Sequence, residues 1–495
     1  MRLGIDLDNT IICYDQLFSS LSEVVGTNKK DVKKDLMAAD PSGKLWNQLQ
    51  AKVYGPELSN ARLYPGVVEF FEICKKLDWE IEILSHKTKV SNFDQKTPLR
   101  APAKKFLDSY KIFNEIPVRF FETLDSKIEG IKNGKFDLFI DDLNAVLMHK
   151  EFPSSTLGLQ AHTVHSFKNI RDLLLEFTLD EIRLLKFRFK NLPYKIKNLE
   201  SSNSKVCQLY FVNGLSVISK QGDRKELASE YAVIKELENQ KVTVIPQAIL
   251  KIDKSKRYLY SALEGTKIDG CHVGDNEIQQ MVDFISKLSE VYSRANVKFP
   301  NASYACFSFS DYLSNIERRI LNLDTDLEKI DSYVALATSN SARFLNYCNQ
   351  YGIDIYKKFP KEELILSPSD FGLHNMLRSE SGLSFFDFEY FGKDDPAKLM
   401  ADFYFHLGQN LSIEKRNRFI KKLCASLKQG DAVYARYQLI RRLIGIEWIL
   451  IALNVFDSNT LARKLEASPL IDVEKLKGER MESAEELQRS IRNLV

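Results

Sequence analysis

Short apolar runs alternate with stretches of helical spacing through the first 150 residues. Leu3–Asp8 (LGIDLD), Glu80–Ser85 (EIEILS) and Phe136–Asp142 (FDLFIDD) are brief, apolar and end on polar or acidic side chains. Runs of this kind with helices between them predict a parallel sheet buried on both faces. The carboxyl ends of such strands are where ligands bind, and here those ends carry the acids. Between the first two strands, residues 11–63 hold helical patterns in DQLFSSLSEVV and KLWNQLQAKVY, which predict a small helical cap. A last strand is expected within GLQAHTVH, near residues 158–165.

The pattern changes after residue 170. The amphipathic stretch NIRDLLLEF runs into the basic LLKFRFKNLPYKIKNL, so 171–199 reads as a linker with a solvated basic face. From residue 200 a hairpin is predicted in VCQLYFVNGLSVISK, turning at Asn213-Gly214. A helix over Lys225–Asn239 follows, then strands near Val242–Ile252 and Arg257–Leu263. Beyond Gly265 the spacing is mostly helical. The organisation expected is therefore a domain over 1–170, a linker, and a second domain over 200–495. The second divides into a strand-rich lobe (200–265) and a helical lobe (266–495).

Composition narrows the class without naming a function. The chain has 495 residues, 44% hydrophobic and 28% charged, with 31 Phe and 20 Tyr, which excludes disorder as its main state. Lys and Arg total 70 against 67 Asp and Glu, a net charge of +3, so nothing electrostatic favours nucleic acid as a partner. Seven dispersed cysteines without a CxxC pair fit a reducing cytoplasm and buried thiols. MRLGIDLDNT lacks a signal peptide's apolar region, and Leu443–Phe456 is interrupted by Glu447 and too short for a span. The expectation is a cytoplasmic protein with small-molecule substrates and no membrane span; the oligomeric state is left open.

The candidate chemistry falls into two sets. In the first, Asp6 and Asp8 stand two apart just past a strand end, with Thr10 after them. Such oxygens suit a hard divalent cation, and a carboxylate can attack phosphorus. Ser85 ends a second strand, Lys127 opens KIEGIK, and Asp141-Asp142 close a third strand. Together these resemble the four motifs of the haloacid dehalogenase (HAD) superfamily, in order, over about residues 1–170. The resemblance implies an α/β Rossmann-like fold and an aspartyl-phosphate phosphatase. Asp6 would be the nucleophile and Asp8 the general acid/base. Thr10, Ser85 and Lys127 would bind phosphate, and Asp6, Asp8, Asp141 and Asp142 would bind Mg2+. Lys104 and Lys105 also precede the last motif, but Lys127 leads directly into its strand.

In the second set, Lys220 ends a strand, Glu230 lies ten residues on in a helix, and Glu264 follows the strand YLYSAL. LSPSDFGLHNML then brings Asp370 and Asn375, and FFDFEYFG brings Asp387. A strand Lys braced by a helix Glu, an acceptor-orienting Asp, and an Asn with a second Asp for metal make up a phosphoryl-transfer set. The order resembles the aminoglycoside phosphotransferase and choline kinase family, of α+β protein-kinase-like fold. The resemblance implies ATP as co-substrate and Mg2+ held by Asn375 and Asp387. Asp370 would be catalytic, with Lys220, Glu230, Glu264 and the loop Ser202, Asn203, Ser204 on ATP. Two departures stand out: Pro368 occupies the place of the family's histidine two before the Asp, and the nucleotide loop has no glycine.

The resulting expectation is a bifunctional enzyme. It combines phosphomonoester hydrolysis with ATP-dependent phosphorylation of a small-molecule hydroxyl, in surface-glycan or amino-alcohol metabolism. The alternative is a nucleotide-sensing or scaffolding protein whose kinase domain is degenerate and whose phosphatase alone is active. Asp394, Asp395 and Asp402 lie among Tyr390, Phe391, Phe403 and Tyr404, with Glu447-Trp448 further on, and acids beside aromatics suit a cationic amine. Core packing of those aromatics is the competing reading.

Overall fold

The structure, a computed structural model, describes every residue except 23, 25, 163–164, 200–203, 295–298, 324–327, 468–470 and 495, and the side chains of 328, 329, 463, 466 and 467. Residues 1–196 with 209–215 form one compact unit, and 197–208 with 216–495 another.

The first unit is built on a five-stranded sheet. Its order is Val118–Phe121, Glu80–His86, Arg2–Ile5, Leu138–Asp141, Leu157–Gln160, and every pairing is parallel. Parallel pairing puts all carboxyl ends on one edge, so residues more than 100 apart in sequence converge there. The strands Arg2–Ile5 and Leu138–Asp141 have Leu3, Ile5, Leu138 and Phe139 fully buried, as strands covered on both faces require. Ile128 and Ile131 of the helix Leu124–Gly134 pack with Leu84, Phe136 and Phe139, and this fixes the helix against the sheet. The 11–63 insertion is helical as expected, with helices Asp15–Leu21, Lys29–Ala39 and Lys44–Tyr54. A short antiparallel pair, Ile12–Cys13 with Arg62–Leu63, closes its base.

Residues 171–199 require a correction. They carry the end of the helix Phe167–Glu176 and the whole of Leu179–Phe189, with Leu173, Phe177, Ile182, Leu185 and Leu192 buried. The basic side chains that suggested a linker decorate the outer side of an apolar stripe, and the first unit continues to Ile196. Thr178 caps the second helix with a reciprocal Thr178–Glu181 box.

A second five-stranded sheet has the order Ala248–Ile252, Arg257–Ser261, Ser216–Gln221, Lys205–Tyr210, Lys195–Leu199. The turn at Gly214 has φ +82°, a conformation that favours glycine. The helix Lys225–Asn239 follows, at the predicted bounds. Beyond it the chain is mainly helical, but not wholly. A three-stranded sheet (Thr266–Lys267, Met376–Ser379, Gly382–Phe385) and a pair (Ile365–Ser367 with Gly392–Asp394) interrupt the helices. These small strands carry the late motifs. The unit's core runs from Leu227 to Ile491, with stacked Phe284 and Phe385 at 4.1 Å near its centre. Among the described residues, no helix is long and apolar enough to cross a membrane. All seven cysteines are free; Cys271 is exposed, against the expectation of buried thiols.

One buried group makes stability depend on pH. His165 is 6% exposed, and burial, with Lys186 adding to it, lowers its imidazole to about 4. The unfolded chain therefore takes up a proton that the folded one refuses, and this contribution is lost as pH falls through about 6.5 towards 4. Urea midpoints should show the wild type losing up to about 3 kcal/mol more than His165→Asn over that interval. Equal losses would mean that the folded imidazole is freely protonated.

Candidate functional site

In the first unit, Lys127 sits at the centre of the carboxyl edge. It lies on the helix Leu124–Gly134, is 1% exposed, and its Nζ donates to Asp6 Oδ1 and Asp141 Oδ2, both at 2.6 Å. Asp6 follows the strand Arg2–Ile5, and its backbone N–H donates to Ile140 O at 2.8 Å, which ties it to the neighbouring strand. Burial works against the charge of Lys127, yet Asp6 and Asp141 more than offset it and hold its pKa above the usual value. Burial also pushes Asp6 up to about 7, against the pull of Lys127, and Asp142 up to about 7.

Oxygens of Asp6, Asp141 and Asp142 lie within 4.8 Å of one another. Three carboxylates around one ammonium leave negative charge in excess, and an all-oxygen donor set fits Mg2+. Thr10 closes this side: its Oγ1 donates to Asp142 Oδ1 at 3.4 Å and accepts from the Asp142 N–H at 3.1 Å. Asn9, between Asp8 and Thr10, has φ +59°, so the turn carries backbone strain at the site.

Asp8 faces a different set of partners. Tyr14 OH donates to its Oδ1 at 2.6 Å, while Lys87 Nζ at 2.9 Å and Ser85 Oγ at 3.5 Å face its Oδ2. Tyr14 and Lys87 were not among the sequence candidates. Lys87 is two residues past Ser85, on the same side of an extended chain, and that alternation was the available signal. Its ammonium also lies 4.7 Å from the ring centroid of Tyr54, which the helical insertion supplies.

The second unit repeats the device. Lys220, on the strand Ser216–Gln221, donates to Glu230 Oε1 and Oε2 at 2.9 and 3.0 Å and to Asp387 Oδ1 at 2.8 Å. Glu230 is 1% exposed and also accepts from the Phe388 N–H at 3.0 Å. Burial opposes the charge of Lys220, but Glu230 and Asp387 outweigh it and raise its pKa; burial pushes Glu230 up to about 7. Glu389, missed in the sequence, joins Glu230 and Asp387 with oxygens within 4.8 Å of one another. Asp387 itself has φ +67°.

Asn375 and Asp387 flank the open end of one hairpin, where Met376 pairs with Phe385 and the Phe386 N–H donates to Asn375 O at 3.1 Å. Asn375 Nδ2 donates to Asp370 O at 3.1 Å, which leaves its side-chain oxygen as an acceptor for a cation. The hairpin thus links Asp370, Asn375 and Asp387 through backbone.

Asp370 is gripped by two histidines outside the sequence candidates. His406 Nε2 lies 2.9 Å from Oδ1 and His374 Nε2 3.3 Å from Oδ2. Burial would raise the Asp370 pKa, but the hydrogen bonds from His374 and His406 win and hold it well below the usual carboxylate range. His406 Nδ1 accepts from the Gly408 N–H at 3.0 Å, so its Nε2 carries the proton that reaches Asp370. Gly372 has to be glycine, because a Cβ there would lie 2.6 Å from both rings. Ser369, just before Asp370, has φ +67°.

The remaining candidates are less engaged. Among the described residues, the buried Ser204 Oγ has no hydrogen-bond partner, and Ser202 and Asn203 lie outside those residues. Glu264 follows the strand Arg257–Ser261 at an exposed position. Asp394 and Asp395, expected near an amine, are used internally. Asp394 accepts from the Cys306 and Asp395 N–H groups, and Asp395 takes Arg436 and Tyr312 at 2.7–2.9 Å.

No family model matches the chain, and no curated protein matches it. Solved structures similar to it include a choline kinase from Streptococcus pneumoniae, at 14% identity over 63% of this chain and 99% of that one, with a TM-score of 0.42. A spectinomycin phosphotransferase, solved with ADP and spectinomycin, is similar at 14% identity over 62% of this chain and 98% of its own, with a TM-score of 0.42. An amicoumacin kinase, solved with AMP-PNP, Ca2+ and its antibiotic, is similar at 11% identity over 60% and 93%, with a TM-score of 0.41.

Proposed function

We propose that the chain carries two phosphoryl-transfer centres: a HAD-type phosphatase in the first unit and an ATP-dependent small-molecule kinase in the second. The observation that carries the reading is a lysine clamped between two carboxylates in each unit, the buried Lys127 by Asp6 and Asp141 and the half-buried Lys220 by Glu230 and Asp387.

In the first centre, Asp6 attacks phosphorus and the P–O bond to the leaving group breaks; Asp8 gives that oxygen its proton, then takes one from the water that cleaves the aspartyl phosphate. Lys127 and Ser85 neutralise and orient the phosphoryl oxygens. Tyr14 and Lys87 aim Asp8. Mg2+, held by Asp6, Asp141 and Asp142, would supply charge neutralisation.

In the second centre, Lys220 pairs with the ATP phosphates while Glu230 fixes its position. Asp370 orients the acceptor hydroxyl and takes its proton as that oxygen attacks the γ-phosphorus, with ADP leaving. Asn375 and Asp387 would hold the metal, which would supply neutralisation of the phosphate charge. Asp370 is held at low pKa by His406 and His374, so it acts chiefly by orientation.

Three outcomes test this on the full chain. Asp6→Asn should lower Mg2+-dependent hydrolysis of an aryl phosphate by several orders of magnitude and leave ATP consumption within about twofold, since the two sets share no residue. Near-normal hydrolysis by Asp6→Asn would remove the nucleophile assignment. Lys220→Met should cut ATP-dependent turnover about 10²–10³-fold, and an unchanged rate would refute the kinase centre. His406→Ala should lower kcat by about 10² with KM for Mg·ATP unmoved, and His406→Gln, whose amide can still donate, should recover most of that loss. A change in KM alone would place His406 outside the acceptor machinery.

A further inference from the structure

The last strand of the first unit's sheet, Leu157–Gln160, ends beside both loops that carry the unit's acids. Three consecutive residues there each reach one of those loops. Gln160 Nε2 donates to Asp142 O at 3.2 Å, the Ala161 N–H donates to Asp141 O at 2.9 Å, and His162 Nε2 lies 2.7 Å from Thr10 O. A carbonyl oxygen only accepts, so His162 Nε2 carries the proton and donates. The first two contacts hold the Asp141-Asp142 loop. The third crosses to the turn that follows Asp6 and Asp8.

The imidazole is itself held from several sides. One face stacks on Tyr64, with ring centroids 3.6 Å apart and planes 16° from parallel. Tyr64 is tied to the same turn, because its N–H donates to Ile11 O at 3.0 Å. Phe167 adds a tilted ring contact at 5.8 Å. His162 has φ +64°, a left-handed conformation that persists in a bulky residue only where the surroundings enforce it. Its own N–H donates to His165 O at 2.8 Å.

Thr10 connects this imidazole to the acids. Its carbonyl meets His162, while its Oγ1 accepts from the Asp142 N–H at 3.1 Å and donates to Asp142 Oδ1 at 3.4 Å. One residue thus stands between His162 and a carboxylate of the Asp6, Asp141, Asp142 set. Groups that orient a ligating carboxylate add to metal affinity without touching the metal. We propose that His162 is a positioning residue of the first centre, one that sets the Asp142 carboxylate for Mg2+ through Thr10. The proposal goes beyond the phosphatase reading and rests on it.

The test is calorimetric titration of Mg2+ into the full chain without nucleotide, following the site that Asp142→Ala removes. The Mg2+ concentration for half-maximal aryl phosphate hydrolysis is measured beside it. His162→Asn is the probing variant: asparagine accepts the left-handed backbone, but its shorter amide stops short of Thr10 O. It should weaken Mg2+ about tenfold by both readouts and leave ATP consumption within about twofold. His162→Gln, whose amide nitrogen takes the place of Nε2, should bind Mg2+ within about threefold of the wild type. Thr10→Val breaks the same link, so adding His162→Asn to it should cost less than about twofold more.

Wild-type Mg2+ affinity in His162→Asn, an equal loss in His162→Gln, or full additivity with Thr10→Val overturns the proposal. So does a wild type without a Mg2+ site that Asp142→Ala removes. The expected binding pattern without any hydrolysis would instead defeat the phosphatase reading, and His162 would stand as the positioning residue of a metal site.

Discussion

An ammonium shared by two carboxylates, buried at Lys127 and half-buried at Lys220, is the interaction on which both candidate centres depend. Such a cation is costly to bury alone, and its partners would be costly to bury without it. Once the three are together, removing the ammonium leaves two carboxylates facing each other without a cation. Lys127 needs Asp6 and Asp141 from different strands, which a parallel sheet delivers to one edge. Lys220 needs Glu230 from a helix and Asp387 from the end of a distant hairpin.

Around that constraint the two centres differ in how Asp8 and Asp370, the proposed proton-handling acids, are held. Asp8 is set by a tyrosine and a lysine, Asp370 by two imidazoles. Backbone strain accompanies both, at Asn9 and at Ser369, with Asp387 also left-handed. A turn that exposes a side chain to a substrate has to leave the regular strand, and these positions carry that cost.

Much of this was legible along the chain. The structure brings the strand-end acids, Lys220 with Glu230, and Asp370 with Asn375 into contact, and each of these pairings rests on local pattern: period, turn and short spacing. The strand Val118–Phe121 carried no clear alternation, since all four of its residues are half-buried. Residues 171–199 misled because charge was conspicuous and the apolar stripe beneath it was not. His406 could not be read at all: it follows the helix Pro396–Phe405, 36 residues from Asp370, and only the fold brings it there. Pro368 stands two residues before Asp370, and His374 and His406 are the groups that hold the Asp370 carboxylate. The acids among the aromatics read differently in the structure for a related reason. Sequence shows acids near aromatics, but not that Arg436, Lys398 and Arg319 already neutralise them.

The most direct measurement of the central claim is calorimetric titration of Mg2+ with a non-hydrolysable ATP analogue into the full-length wild type, Lys220→Met and Lys127→Met. The account predicts one analogue per chain for the wild type and Lys127→Met, and an affinity about tenfold or more weaker for Lys220→Met, as loss of a charge-assisted contact implies. Unchanged binding by Lys220→Met, or loss of binding in Lys127→Met, would contradict two separate lysine-centred sites.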